Sequence, residues 1–284
     1  MKKNIQSIFK MSALAFAASA IAFSCSDDDD NKHNGPGFTG ETHTYTLVAE
    51  EDSDISGTAQ FRERTDGSMV VTLDMEGTTS GESYPVFIRS NAANQTGTTI
   101  VALEPVNGQT GMSTTILEER DNGSPLTYDQ LMDLNGTLVV TMDDETVVSQ
   151  ADIGSNELST TSRTYTLSSV GDSDVSGTVT FARRMNGNTL ITTNLDGTET
   201  GTVYPVAIYN SSLSTPGASA IALTNVNGTT GSTATSTSSV SQLDAGTVIS
   251  YDQLNTFDGH IGVGTMGTPT TYVASSNIGM NANL

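Results

Sequence analysis

The chain has 284 residues, and 11 Lys and Arg against 32 Asp and Glu give it a formal net charge of −21. This balance argues against a nucleic-acid partner, because phosphate binding depends on Lys and Arg side chains that displace counterions. One Cys and three His are too few for a disulfide scaffold, a zinc ribbon or an iron–sulfur cluster.

Residues 1–24 have the pattern of a lipoprotein signal peptide. Three lysines precede an apolar stretch from Met11 to Phe23, which at about 13 residues is too short to span ~30 Å of hydrocarbon. Cys25 follows the small residue Ser24, in a segment that resembles a bacterial lipobox. We therefore expect lipid attachment at Cys25. The alternative is an ordinary secretory peptide that leaves Cys25 as a free thiol.

Residues 25–43 are predicted to form an acidic tether. Four aspartates at residues 27–30 follow Cys25, and on their own they indicate an extended, self-repelling segment. Their place beside a lipid-acceptor cysteine resembles the export signal of Bacteroidota surface lipoproteins. The resemblance implies a lipid anchor in the outer membrane and display on the cell surface, so the membrane is one expected partner.

The rest of the chain contains two copies of one unit, at residues 44–160 and 161–284. The segment Asp52–Thr58 recurs at Asp172–Thr178, a shift of 120 residues, and later segments recur at shifts of 123 and 125. Small loop insertions account for the drift. Self-similarity on this scale predicts two tandem domains.

Each unit is predicted to be an antiparallel sandwich of about eight short strands. Met69, Val71, Leu73 and Met75 alternate with a mainly polar set, and this period of two marks one buried and one solvated face. In the first unit the predicted strands lie near residues 44–49, 57–63, 69–76, 84–89, 98–104, 112–117, 137–142 and 146–153.

One helical turn is predicted in each unit. Thr127 and Gln130 have the spacing of a capping box, and so do Ser250 and Gln253. In this motif the hydroxyl and the amide each satisfy a free backbone N–H at the start of a helix.

Several segments of the first unit follow one another in a recognisable order: SGTAQF at 56–61, YPVFIRSN at 84–91, VALEPVNGQTG at 101–111 and SQADIGSNEL at 149–158. This order resembles the CHRD domain, named after chordin, in its bacterial form. The resemblance implies an all-β fold of two tandem antiparallel Greek-key β-sandwiches, similar to the Cu,Zn superoxide dismutase sandwich.

The chain departs from this family in its histidines. The bacterial pattern carries a His-Pro-x-His-x-His strand, whose alternate positions can present two imidazoles to one metal. The last two of those histidine positions hold Phe87 and Arg89 in the first unit, and Ala207 and Tyr209 in the second. Copper or zinc redox chemistry is therefore not expected.

The remaining histidines do not restore a metal site. A later family histidine falls near Thr141 in the first unit and Gly264 in the second. His260 is expected to be a surface residue on a strand. His33 and His43 flank the tether, where no rigid site is expected.

A calcium site is a weaker alternative. Asp52, Asp54 and Ser56, followed by Gly57 and Glu63, have the spacing of an EF-hand loop. No flanking helices are predicted, and the second copy has Arg in place of Glu63. A strand-to-strand turn is the favoured interpretation.

No catalytic residue or cofactor is expected. Ser and Thr are plentiful, but neither unit offers a paired His or Lys base, and Lys32 is the sole lysine of the expected mature chain. The expected function is a noncatalytic binding or envelope-associated module with an unknown surface ligand or protein as partner.

Two alternatives remain open. A metal-binding, superoxide-dismutase-like protein rests on the fold analogy alone. A calcium-stabilised adhesin or glycan-binding accessory protein is favoured by the acidic first unit, since residues 41–158 hold 21 Asp and Glu against 4 Arg. Tyr84, Tyr204 and Tyr209 could stack on a sugar, although core packing is expected for the first two.

Overall fold

The structure is a computed structural model that describes residues 35–50, 52–265 and 271–282. The predicted signal peptide of residues 1–24, the lipid-attachment site Cys25, the aspartates at 27–30 and His33 lie outside the described residues.

The first copy, repeat 1, forms a closed barrel of eight antiparallel strands, in the order β1-β2-β3-β6-β5-β4-β7-β8. The pairings of β3 with β6 and of β4 with β7 are the long crossovers of a Greek key. Each of the eight predicted strands is confirmed. The elements are β1 Phe38–Ala49, β2 Ser56–Arg64, β3 Met69–Glu76, β4 Ser83–Ser90, β5 Thr99–Asn107, β6 Met112–Leu117, α1 Tyr128–Met132, β7 Asn135–Thr141 and β8 Val147–Gly154.

The second copy, repeat 2, forms an eight-stranded sheet in the order β14-β13-β17-β18-β9-β10-β11-β16, with a separate β12–β15 pair. The prediction of an all-β fold of two tandem antiparallel Greek-key β-sandwiches is confirmed. The elements are β9 Leu158–Ser169, β10 Ser176–Arg184, β11 Thr189–Asp196, β12 Val203–Tyr204, β13 Val206–Asn210, β14 Ser219–Ala222, β15 Val226–Asn227, β16 Ala234–Val240, α2 Tyr251–Leu254, β17 Asp258–Val263 and β18 Ala274–Gly279.

Each repeat has its own hydrophobic core. In β3 the side chains of Met69, Val71, Leu73 and Met75 are all buried, as their alternation predicts. One cluster draws its buried residues from positions 45–153 and the other from positions 165–278. Apolar burial at ~25 cal/mol per Å² is the main favourable contribution to folding, so each repeat supplies its own.

The gap between β14 and β16 in repeat 2 is bridged by side chains. The Thr224 N–H donates to the Ser238 hydroxyl at 2.8 Å, and the Ala222 N–H donates to the Asp244 carboxylate at 3.1 Å. In repeat 1 the Ala102 N–H donates to Asp121 in the same way. These side chains occupy strand edges that would otherwise present unpaired backbone groups to other chains.

The prediction places the end of the tether too late in the chain. Phe38–His43 belong to β1 and pair with β2, instead of ending the tether at residue 43. His43 is fixed in this strand, with Nε2 3.0 Å from Glu157 Oε2 and its ring 4.5 Å from that of Tyr45. The sequence of this segment suggests a spacer because its side chains are mostly polar and exposed. The strand is formed by hydrogen bonds of the backbone, which the side chains do not reveal. The predicted boundary at 160/161 falls inside β9.

Both predicted capping boxes are confirmed. The Thr127 hydroxyl accepts from the Gln130 N–H at the start of α1, and the Ser250 hydroxyl accepts from the Gln253 N–H at the start of α2. In each case the glutamine side chain accepts from the N–H of the cap residue, which closes the motif.

The core positions expected for Tyr84 and Tyr204 are also confirmed, since both rings are buried. The Tyr84 hydroxyl accepts from the Thr79 N–H at 3.0 Å, and the Tyr204 hydroxyl accepts from the Glu199 N–H at 3.1 Å. These tyrosines therefore anchor the loop after β3 and its counterpart after β11, and they are not placed to stack on a sugar.

We predict that Tyr84→Phe lowers the free energy of unfolding by about 1–2 kcal/mol, because the Thr79 N–H loses its acceptor while the ring stays in place. Urea denaturation measures this change. Tyr128→Phe is the matched control, since the Tyr128 ring is also buried and no hydrogen bond of its hydroxyl is found within the described residues. An equal loss in both variants would contradict the role assigned to the Tyr84 hydroxyl.

Candidate functional site

The most distinctive polar feature of the chain is a joint between the two repeats, centred on Arg184. This side chain ends β10 and is 1% exposed. Its guanidinium donates to the Asp152 carboxylate and the Asn156 carbonyl of repeat 1, each at 2.5 Å, and to the Ser239 hydroxyl of repeat 2 at 3.1 Å. Burying an arginine side chain costs free energy unless the side chain is paired and hydrogen-bonded. Here the Asp152 carboxylate of repeat 1 neutralises the Arg184 guanidinium of repeat 2.

Neutral amides complete the joint on one side. The Asn186 amide donates to the side-chain oxygens of Asn135 at 2.7 Å and Asn156 at 2.9 Å. The Asn186 backbone N–H donates to the Ser155 carbonyl at 2.8 Å. The hairpin between β10 and β11 is therefore fixed to the start of β7 and to the residues that follow β8.

A second contact lies across the joint from these amides. The Ser239 hydroxyl donates to the Asn94 side-chain oxygen at 2.5 Å, and the Asn94 amide lies 3.3 Å from the Thr237 hydroxyl. Asn94 belongs to the loop after β4, and both hydroxyls belong to β16. The two repeats are thus held at two places on the same interface.

Beside this second contact lies a cleft of about 520 Å³ whose walls come from both repeats. Asp244 is the single charged residue of its lining, and both carboxylate oxygens already accept from the Ala222 N–H. The cleft therefore offers mainly neutral donors and acceptors and no cation. Its polar side chains are Asn94, Gln95, Thr224, Ser238, Ser239, Ser241, Gln242 and Asp244.

The expectation that His260 lies on the surface is wrong, since this residue of β17 has no exposed area. Nδ1 lies 2.7 Å from the Ser211 carbonyl, Nε2 lies 3.0 Å from the Tyr272 hydroxyl, and the Tyr209 ring is stacked at 5.2 Å. Since a carbonyl only accepts, Nδ1 carries the hydrogen in this contact. The repeat 1 counterpart is Thr137, which is also buried.

Tyr209 and Tyr272 cover this histidine. Burial raises the pKa of Tyr272 to about 12, with Tyr209 adding to the effect. Tyr209 is only half-buried, but its ring is already packed against His260 and Tyr272. These three rings form a packed cluster in which both histidine nitrogens are in use.

The structure does not bring the EF-hand-spaced carboxylates together. Asp52 and Asp54 lie in the loop before β2, while Glu63 is near the far end of that strand and accepts from the Thr39 hydroxyl. At about 3.3 Å per residue, the strand from Ser56 to Glu63 spans about 23 Å. The turn interpretation fits this geometry, with the Ile55 N–H donating to the Ser53 hydroxyl.

Across residues 35–50, 52–265 and 271–282, no group of three or more His, Cys, Asp or Glu is placed to hold a metal ion. The same ranges contain no helix long and apolar enough to cross a membrane. Phe87 and Arg89 lie on β4, with the Arg89 guanidinium 5.4 Å from the Phe87 ring.

Sequence reasoning missed the joint entirely. A signal was present, since Asp152 is replaced by Asn at residue 277 of the second copy. A carboxylate that is present in one copy and absent from the other indicates a contact that only the first copy makes.

Comparison of the chain with protein-family models, curated proteins and solved structures found no match.

We predict that Arg184→Ala lowers the free energy of unfolding by about 3–5 kcal/mol, because it leaves Asp152 without its cation and removes three hydrogen bonds. Chemical denaturation measures this loss. Arg64→Ala is the matched control, since Arg64 holds the same place in repeat 1 but is half-buried, and within the described residues its guanidinium has one hydrogen bond, to the Ser68 hydroxyl at 3.3 Å. We expect a loss below about 1 kcal/mol there. Equal losses in both variants would show that the joint contributes nothing.

Proposed function

We propose that this chain is a noncatalytic, surface-exposed lipoprotein in which two CHRD-like repeats act as one binding module. Its anchor is a lipid on Cys25 in the outer membrane, and its partner is a neutral, hydroxyl-rich ligand of the glycan class. The observation that carries the ligand assignment is the cleft between the repeats, with its amide and hydroxyl lining and no cation.

The anchoring proposal is supported by the order of segments at the N-terminus. A lysine-rich start, an apolar stretch, Cys25 and the aspartates at 27–30 follow one another without interruption. Acyl chains at ~0.8 kcal/mol per buried CH₂ attach a protein stably when more than one is present. The anchor accounts for membrane attachment without a spanning segment.

The noncatalytic proposal is supported by the state of the histidines. A general base needs a ring nitrogen within reach of a nucleophile and of substrate. Both nitrogens of His260 are engaged with buried partners, and His43 Nε2 is paired with Glu157. All four lysines of the chain precede residue 35, outside the described residues.

The ligand class is supported by the chemistry of the cleft. Anionic ligands are recognised by Lys and Arg, which the lining does not contain. Hydroxyl and amide side chains match the donors and acceptors of a neutral sugar. Gln95 and Gln242 belong to different repeats and are exposed, and neither side chain is a hydrogen-bond partner of Arg184 in the described residues. The Gln95 side-chain oxygen also accepts from the Ala92 N–H, at 3.4 Å.

Cys25→Ala is predicted to move the protein from the membrane pellet to the soluble fraction, because the lipid acceptor is lost. Cell fractionation with immunoblotting measures the distribution. Ser26→Ala, next in the chain, is the control and should leave the protein in the pellet. Retention of the Cys25 variant in the membrane would refute the lipid anchor.

For the cleft, we predict that Gln95→Ala and Gln242→Ala each weaken binding to an array of neutral glycans about tenfold, the value of one lost hydrogen bond. Gln109→Ala, an exposed glutamine outside the cleft, should leave binding unchanged. Unaltered binding by both cleft variants would refute the site. Failure of the unmodified chain to bind any neutral glycan would refute the ligand class.

A further inference from the structure

The joint between the repeats is directional. Repeat 1 contributes the start of β7 and the end of β8, with Asn135 and Asp152, whereas repeat 2 contributes the β10–β11 hairpin, with Arg184 and Asn186. Because the two surfaces differ, the contact is of the head-to-tail kind. Such a contact made between separate molecules generates open filaments unless its geometry closes a ring.

One outer end of the chain repeats the hairpin side of the joint. The β2–β3 hairpin of repeat 1 carries Arg64 and Asp66 at the positions of Arg184 and Asn186. The turns are alike: Asp66 accepts from the backbone N–H two residues on, at 3.1 Å, as Asn186 does at 2.9 Å. Asp66 is exposed, and its hydrogen bond to the Ser68 hydroxyl holds the pKa of this carboxyl below its ordinary value.

The other outer end repeats the receiving side. Asn277 holds the loop after β13 through the Leu213 N–H at 2.8 Å, as Asp152 holds the loop after β4 through the Ala93 N–H. Asp258 begins β17 and pairs with Gly279, as Asn135 begins β7 and pairs with Gly154. At the receiving end of repeat 2, the amide of Asn277 thus stands where the joint has the carboxylate of Asp152. The carboxylate of Asp258 stands where the joint has the amide of Asn135.

Bringing these two ends together would reverse the chemistry of the joint. Arg64 would face the neutral Asn277, so the guanidinium would lack the facing carboxylate that Asp152 gives Arg184 in the joint. Asp66 would face Asp258 where Asn186 and Asn135 lie 2.7 Å apart, and two carboxylates at that distance repel strongly away from bulk water. We propose that these outer-end residues prevent copies of the chain from stacking head to tail, so that the joint forms once, within one molecule.

The test transfers the outer-end residues into the joint of the full chain, as the triple variant Asn135→Asp, Asp152→Asn and Asn186→Asp. Each substitution introduces the residue that the other copy carries at the equivalent position, so each repeat keeps its fold. We expect the joint to open. Hydrogen-exchange protection of the amide of residue 186, which donates to the Ser155 carbonyl across the joint, should fall about 100-fold, and small-angle scattering should show a larger radius of gyration.

The matched control makes the reverse exchange at the outer ends: Asp66→Asn, Asp258→Asn and Asn277→Asp. It changes the same residue types at equivalent positions but leaves the joint untouched, so protection of the Asn186 amide should not change. Unchanged protection and scattering in the joint variant would overturn the proposal. A similar loss in the control would also overturn it, because the substitutions themselves rather than the facing charges would then be responsible.

Sedimentation of the unmodified chain provides the direct check on stacking. The chain used carries Cys25→Ala to prevent acylation and has no change at its outer ends. We expect it to remain monomeric as its concentration rises. Concentration-dependent oligomers that disappear on Arg64→Ala would show that the outer ends do associate, and would overturn the proposal.

Discussion

A single buried cation defines how the two halves of this molecule are related. The Arg184 side chain extends from repeat 2 and is neutralised by Asp152 of repeat 1. Pairs of this kind give modest net stability, since desolvation offsets much of the attraction, but they penalise every arrangement in which the charges are separated. Together with the amide and hydroxyl contacts of Asn186 and Asn94, this pair fixes the two walls of the inter-repeat cleft. The candidate ligand site therefore depends in part on a contact outside its lining.

The framework was predictable from the sequence because its signals are local. Alternation in Met69–Met75 and the capping pairs at Thr127 and Ser250 each depend on residues close together in the chain. The start of β1 was missed for the opposite reason. Phe38–His43 have mostly exposed side chains, and only pairing with β2 makes them a strand.

The polar contacts were largely unpredictable because their partners are distant in sequence. Arg184 and Asp152 are separated by 32 residues and Ser239 and Asn94 by 145, and composition does not indicate such pairs. His260 shows the same limit: it was expected on the surface of a strand, yet Tyr209 and Tyr272, which lie outside its strand, cover it. The proposed glycan-class ligand likewise rests on the polar lining of a cleft that residues of both repeats form, and no motif encodes it.

The seam between β14 and β16 of repeat 2 is held by few bonds. They include the contacts between Thr224 and Ser238, the Asp244 carboxylate that accepts from the Ala222 N–H, and one backbone bond from the Asp244 N–H to the Ala220 carbonyl. Each such bond contributes about 0.5–1.5 kcal/mol. Separating the strands at this seam therefore costs less free energy than separating β10 from β11, which are joined along eight residue pairs.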